Sequence, residues 1–68
     1  MTQCDRILKY MDDFGSISTM QAFADLGITR LASRIHDLKR MGISIESNTV
    51  SKQNRYGEMT HYSVYRRA

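Results

Sequence analysis

Ser18–Met41 reads STMQAFADLGITRLASRIHDLKRM. Ser18 followed three residues later by Gln21 is a capping-box pattern, which predicts a short helix over Thr19–Leu26. Its apolar positions Met20, Phe23 and Ala24 are expected to be buried. Gly27 stops this helix by adopting a positive φ. Thr29 is placed to cap a longer helix over Arg30–Met41, which Gly42 closes. Leu31, Ile35 and Leu38 share one face of the longer helix, and Ile28 packs from the turn before it. At ~100° per residue the opposite face carries Arg30, Ser33, Asp37 and Arg40, flanked by Arg34 and His36.

Upstream, Cys4, Ile7, Leu8, Met11 and Phe14 recur at helical spacing, predicting a first helix over Thr2–Phe14. Thr2 and Asp5 have capping spacing at its start, and Gly15 is a natural stop. Asp12 and Asp13 fall in its last turn, where the helix dipole disfavours anions. Ser16 and Ile17 form a connector able to make a bridge of β-structure. Downstream the period changes from helical to alternating. Ile43 and Ile45 begin a strand that the polar run Ser47–Lys52 extends. Asn54-Arg55-Tyr56-Gly57 is a turn, and Met59–Arg66 is the returning strand, carrying Tyr62, Val64 and Tyr65. Tyr62 and Val64 share a face while Tyr65 points the other way; periodicity alone does not say which face covers the helices.

The order helix, helix, helix, hairpin describes an α+β, mainly helical, winged helix-turn-helix, as one domain over residues 1–68. A chain of 68 residues buries only about 60% of the surface that its unfolded form exposes, so modest stability is expected. Absence of proline and an apolar fraction of 41% fit a folded chain better than a disordered one. The single cysteine, Cys4, excludes an internal disulfide and a zinc site built on several thiolates. It falls on the apolar stripe of the first helix, where a packing role is expected. No apolar run is long enough to span a membrane, and Met1–Tyr10 is too polar for a signal peptide. A cytoplasmic location is therefore expected.

Charge is unevenly divided. Residues 1–29 carry Arg6 and Lys9 against Asp5, Asp12, Asp13 and Asp25, a net of −2. Residues 30–68 carry eight basic side chains against Asp37, Glu46 and Glu58, a net of +5, and the halves sum to +3. Basic charge gathered in one half is the footprint of a polyanion binder, although an ordinary solvated surface with a basic tail has the same balance.

The residues Ile7-Leu8, Gly15-Ser16-Ile17, Ala22, Leu26-Gly27-Ile28-Thr29-Arg30-Leu31, Arg34-Ile35, Leu38 and Gly42-Ile43 together resemble a family of small winged helix-turn-helix domains common in phages and prophages. The resemblance is most specific from Leu26 to Leu38. It implies a winged-helix fold, DNA binding and no catalytic activity. One residue departs from the plain helix-turn-helix pattern. Phe23 stands four residues before Gly27, where that pattern prefers a small side chain, and this favours the winged variant.

The candidate DNA-binding residues follow from donor chemistry and position. Arg30 lies at the end of the helix that enters a major groove, where a guanidinium can bond guanine through two hydrogens. Ser33, one turn on, can reach a base edge or a phosphate. Asp37 either accepts from a cytosine amino group or pairs with Arg34 at i, i+3 and orients it. Arg40 is better placed for phosphate. Lys52, Arg55 and Tyr56 surround the hairpin tip, which in winged helices lies along the backbone or in the minor groove. Arg66 and Arg67 are read as terminal and mobile, adding non-specific attraction to phosphates. The same helix face also suits a plain solvated surface.

No enzymatic pattern competes. His36 and His61 have no metal-ligand spacing, Asp12 and Asp13 diverge on their helix, and there is no Gly-rich phosphate loop. No cofactor and no metal are expected. Double-stranded DNA is the expected partner, in transcriptional control or an excisionase-like architectural role. A homodimer is a further candidate, since so small a domain contacts few base pairs. The alternative is a protein-interaction module, for instance a phage factor binding a host protein, which would show an exposed apolar patch.

Overall fold

Helix α1 spans Gln3–Phe14 in the computed structural model, which describes residues 2–68. It starts one residue later than expected because Thr2 is its cap. The Thr2 side chain accepts from the Asp5 N–H, and the Asp5 carboxylate accepts from the Thr2 N–H, both at 3.1 Å. The Thr2 N–H bonded to the carboxylate, helped by the Thr2 hydroxyl beside it, holds the Asp5 carboxyl below its ordinary range. Their contribution is therefore complete above the unfolded carboxylate pKa and is lost as acid protonates Asp5. Ile7 and Met11 are buried, and Cys4 and Leu8 pack beside them. Phe14 departs from the expected stripe: it is 70% exposed and lies against Tyr10, ring centroids 4.7 Å apart. It sits in the last turn, past the reach of the core.

After Gly15, which takes φ +86°, the chain makes the two-residue strand β1 (Ile17–Ser18) and enters α2 (Thr19–Leu26). The predicted Ser18–Gln21 capping box is present, with Ser18 Oγ accepting from the Gln21 N–H at 3.2 Å and Gln21 Oε1 from the Ser18 N–H at 2.9 Å. The buried face of α2 differs from the expected one. Met20 is 75% exposed, Phe23 is 59% exposed, and Ala24 is also exposed. Ala22 is fully buried instead, with Leu26 packed one turn on. The backbone explains the shift. Ser18 is held as the strand end opposite Val64, which sets the rotation of α2 before its side chains are sorted. The small side chain needed at the close approach is thus Ala22, and Phe23 points away from it.

A four-residue connection, Gly27–Arg30, leads to α3 (Leu31–Arg40). Gly27 is left-handed (φ +68°) and its N–H bonds Phe23 O, while the Ile28 N–H reaches back to Ala22 O at 3.0 Å. The Gly27 bond is an αL closure, and the Ile28 bond behind it brings Ile28 into the core. Thr29 does not cap α3. The cap position belongs to Arg30, and no side-chain bond satisfies the first turn. Helix α3 is thus shorter than Arg30–Met41 by one residue at each end, with Met41 as its C-cap. Leu31, Ile35 and Leu38 are buried as expected.

Strands β2 (Ile45–Gln53) and β3 (Met59–Arg67) pair antiparallel without a bulge, Ile45 opposite Arg67 through Gln53 opposite Met59. Strand β1 adds to the other side of β3, giving a three-stranded sheet in the order β1-β3-β2. Tyr65, paired with the fully buried Ile17, packs on the core, whereas Tyr62 is 39% exposed. The hairpin is therefore anchored by its base. At ~3.4 Å per residue its nine-residue strands account for much of the 39 Å long axis, against 22 and 21 Å across.

The terminal arginines are ordered into this sheet, contrary to the reading of a loose tail. Arg66 Nε bonds Glu46 Oε2 at 3.0 Å, and Arg67 reaches Asp12 at 3.3 Å. Lys9 meets Asp13 at 3.2 Å. The two aspartates that oppose the α1 dipole therefore each have a cation.

The core consists of Ile7, Met11, Ile17, Ala22, Ile28, Leu31, Ile35, Leu38 and Ile45. Leu38 is fully buried among them. Leu38→Ala is expected to cost about 3 kcal/mol and to lower the midpoint of thermal unfolding by roughly 12–24 °C, read by far-ultraviolet circular dichroism.

Candidate nucleic-acid interface

Helix α3 and the hairpin carry every site residue expected from the sequence. Arg30 is exposed at the α3 cap, with φ −122° and ψ 56°. Ser33 and Asp37 are half-buried. Arg34 bonds Asp37 at 3.1 Å with its side chain 37% exposed, and its Nε is buried without a protein partner. Of the two roles open to Asp37, pairing with Arg34 at i, i+3 is thus the observed one. Arg40 is exposed in the last turn. Ala32, His36 and Lys39 are also open to solvent. Solvent exposure on α3 is displaced from the Arg30/Ser33/Asp37/Arg40 face towards the His36 side. Helical periodicity could not show this, because the shading of Ser33, Arg34 and Asp37 is a tertiary effect.

The hairpin tip is tightly built. The Asn54 side chain accepts from the N–H groups of Tyr56 and Glu58 at 2.9 and 3.0 Å. Its backbone N–H bonds Glu58 O at 2.8 Å, and Gly57 takes φ +78°. This Asx-type closure presents Arg55 and Tyr56 to solvent, Tyr56 at 82% exposure. No hydrogen bond or ion pair among the described residues joins the tip to α3. Lys52 lies lower on the hairpin, lining one groove with Thr29, the residue before Arg30. Lys52 and Thr29 thus border the same groove, while the tip has no bond to α3 among the described residues.

Ion pairing selects among the basic residues. Of the eight in residues 30–68, Arg34, Arg66 and Arg67 have carboxylates within salt-bridge distance. Arg30, Lys39, Arg40, Lys52 and Arg55 have none among the described residues. All five of these unpaired cations lie on α3, at its cap or on the wing.

Groups that imply other chemistry are sparse. Ser51 Oγ and His61 Nδ1 stand 2.8 Å apart across the hairpin, both exposed, with no acid bonded to the ring. Nucleophile activation needs a base that is itself oriented by a third group, so this pair braces the wing. Among the described residues no three His, Cys, Asp or Glu side chains gather as metal ligands, and no helix is long and apolar enough to cross a membrane.

A three-helix unit with a projecting hairpin and an open second helix of the turn motif is the geometry of a winged helix-turn-helix. The family model described as a winged helix-turn-helix domain matches residues 2–66. The chain belongs to that family. No curated protein and no solved structure gave a significant match. Membership makes DNA the general partner class of the fold and a binding domain, rather than an enzyme, its usual form. Within this winged helix-turn-helix domain, Arg34 and the exposed arginines are expected to behave differently on substitution. Arg34→Ala strips a half-buried stem from α3 and leaves Asp37 unpaired, so it should destabilise by about 1 kcal/mol. Arg30→Ala and Arg40→Ala should each stay within about 0.5 kcal/mol of the parent. Urea unfolding followed by circular dichroism distinguishes the two groups.

Proposed function

We propose that the protein is a DNA-binding regulator of phage or prophage type, acting in transcriptional control or as an excisionase-like architectural factor. The observation that carries this reading is that five of the six cations without a carboxylate partner among the described residues stand at the α3 cap (Arg30), on α3 (Lys39, Arg40) or on the wing (Lys52, Arg55), with Arg6 on α1 the sixth. Helix α3 supplies the major-groove element, with Arg30 and Ser33 nearest the bases at its N-terminal end and Arg40 on a phosphate. Its first turn lacks a side-chain cap, which leaves backbone N–H groups free to meet a phosphate oxygen. Arg34, held by Asp37, serves to shape this face and contributes a second guanidinium edge. Arg55 and Tyr56 ride on the backbone or in the adjacent minor groove. A site of this composition acts in the cytoplasm, on duplex DNA.

Fluorescence anisotropy with random duplex DNA across a salt series tests the reading. Binding should weaken steeply with salt, because each neutralised phosphate releases counterions. Arg55→Ala should reduce the logarithmic salt slope by about 1, while Arg30→Ala should also alter preference among sequences. No binding at low salt would remove DNA as the partner.

A second reading rests on a specific surface. Met20, Phe23 and Tyr62, all exposed, border a groove of about 720 Å³ between α2 and the hairpin. Strand β1 covers β3 only at Val64 and Tyr65, so the β3 edge beside this groove is open. An interaction module that captures a host protein would use it by strand addition. Phe23→Ala should then abolish capture of that protein and leave DNA affinity unchanged, as measured in parallel pull-down and anisotropy assays.

A further inference from the structure

The outer edge of the wing is a long strand with which no further strand pairs among the described residues. Strand β2 ends the sheet, and its nine residues contain neither proline nor bulge. Natural edge strands are usually blunted by such devices, because an unpaired row of N–H and C=O groups recruits another strand. The direction of these groups follows from the ladder. Asn54 N–H bonds Glu58 O at 2.8 Å, and Ala68 N–H bonds Ser44 O at 3.0 Å. Both pairs are in register with β2–β3, so the even-numbered residues of β2 exchange hydrogen bonds with β3. Ser47, Thr49 and Ser51 consequently aim their N–H and C=O groups outward.

We propose that this edge pairs with the same edge of a second copy of the chain, antiparallel and centred on Thr49. A two-fold contact must be self-complementary, and this register is. Thr49 faces Thr49 of the second copy, Ser47 faces Ser51, and Glu46 faces Lys52, each unlike pair occurring twice. Ser47, Thr49 and Ser51 form the hydrogen-bonded pairs. Glu46 and Lys52 fall at a non-hydrogen-bonded pair, where side chains stand closest. Shifting the centre to Asn48 or Val50 sets Lys52 opposite Ser44 or Asn48 and loses both ion pairs. Charge therefore picks one register. Lys52 has no carboxylate partner among the described residues, and Glu46 uses Oε2 for Arg66, leaving Oε1 to receive it. Opposite charges directly across strands are favourable, and like charges are not. The pairing leaves the tip, Asn54–Gly57, and the exposed face of α3 outside the contact, and of the five unpaired cations on α3, its cap or the wing it engages Lys52 alone. It does not depend on the DNA reading.

Sedimentation equilibrium of the full chain without DNA, up to about 1 mM, tests the pairing. The parent should show a concentration-dependent dimer. Lys52→Glu, which sets Glu46 against a glutamate twice, should weaken it roughly tenfold. The double variant Glu46→Lys with Lys52→Glu should restore it by exchanging the charges. Thr49→Pro removes an outward N–H that β3 does not use, and should leave a folded monomer by circular dichroism. A parent that stays monomeric at the highest concentration overturns the proposal. So does a dimer indifferent to both Lys52→Glu and Thr49→Pro. Should Thr49→Pro fail to fold, the charge-exchange series decides alone: a dimer that Lys52→Glu leaves unchanged is then enough to overturn the pairing.

Discussion

Two residues of backbone pairing hold this domain in its shape. Ile17 and Ser18 form β1 against Tyr65 and Val64, closing the N-terminal helices onto the C-terminal strand. Ile17 is fully buried and Ser18 nearly so. Ser18 also caps α2, so a single residue ends a strand, starts a helix and fixes the angle between them. The consequences spread outward. Strand β3 becomes central, β2 is left as a bare edge, and the hairpin is gripped only at its base. The rotation that Ser18 gives α2 then turns Ala22 inward and Met20 and Phe23 outward.

Electrostatics follow from the same closure. Once β3 runs to Arg67, the last two arginines stand beside Glu46 and Asp12, and the apparent basic tail becomes internal bracing. The basic half of the chain is thereby reduced to the unpaired cations on α3 and the wing. The acidic end of α1 is neutralised in the process. Tyr10 adds another tie, its hydroxyl donating to Asp25 and joining α1 to α2. That hydrogen bond raises the Tyr10 pKa, so the tie is complete below the ordinary tyrosine range and is lost only in strong alkali.

Much of the fold was legible because its signals are local. The capping boxes at Thr2 and Ser18, the glycine stops at Gly15 and Gly27, and the alternation from Ile45 onward each reside within a few residues. The stripe Leu31, Ile35 and Leu38 is equally local, and all three are buried. Misread positions lie where two faces compete. On α2, Met20 and Phe23 are more apolar than Ala22, so hydrophobicity chose the wrong side, whereas close packing demanded the small residue. Thr29 has cap chemistry, but the left-handed closure at Gly27 is followed by a helix start one residue later. Phe14 and the terminal arginines depend on partners or packing that no periodicity encodes.

The sequence by itself determined the element order, the helix starts to within a residue, the turn at Asn54–Gly57 and the concentration of basic charge after residue 29. Each is a property of residues within one turn or one strand of each other. Only the tertiary structure decided which cations remain unpaired, which face of α2 is exposed, and that β2 ends the sheet with its edge open. Those outcomes depend on which segments distant in the chain meet. Here the meeting of Ile17 with Tyr65 settled them.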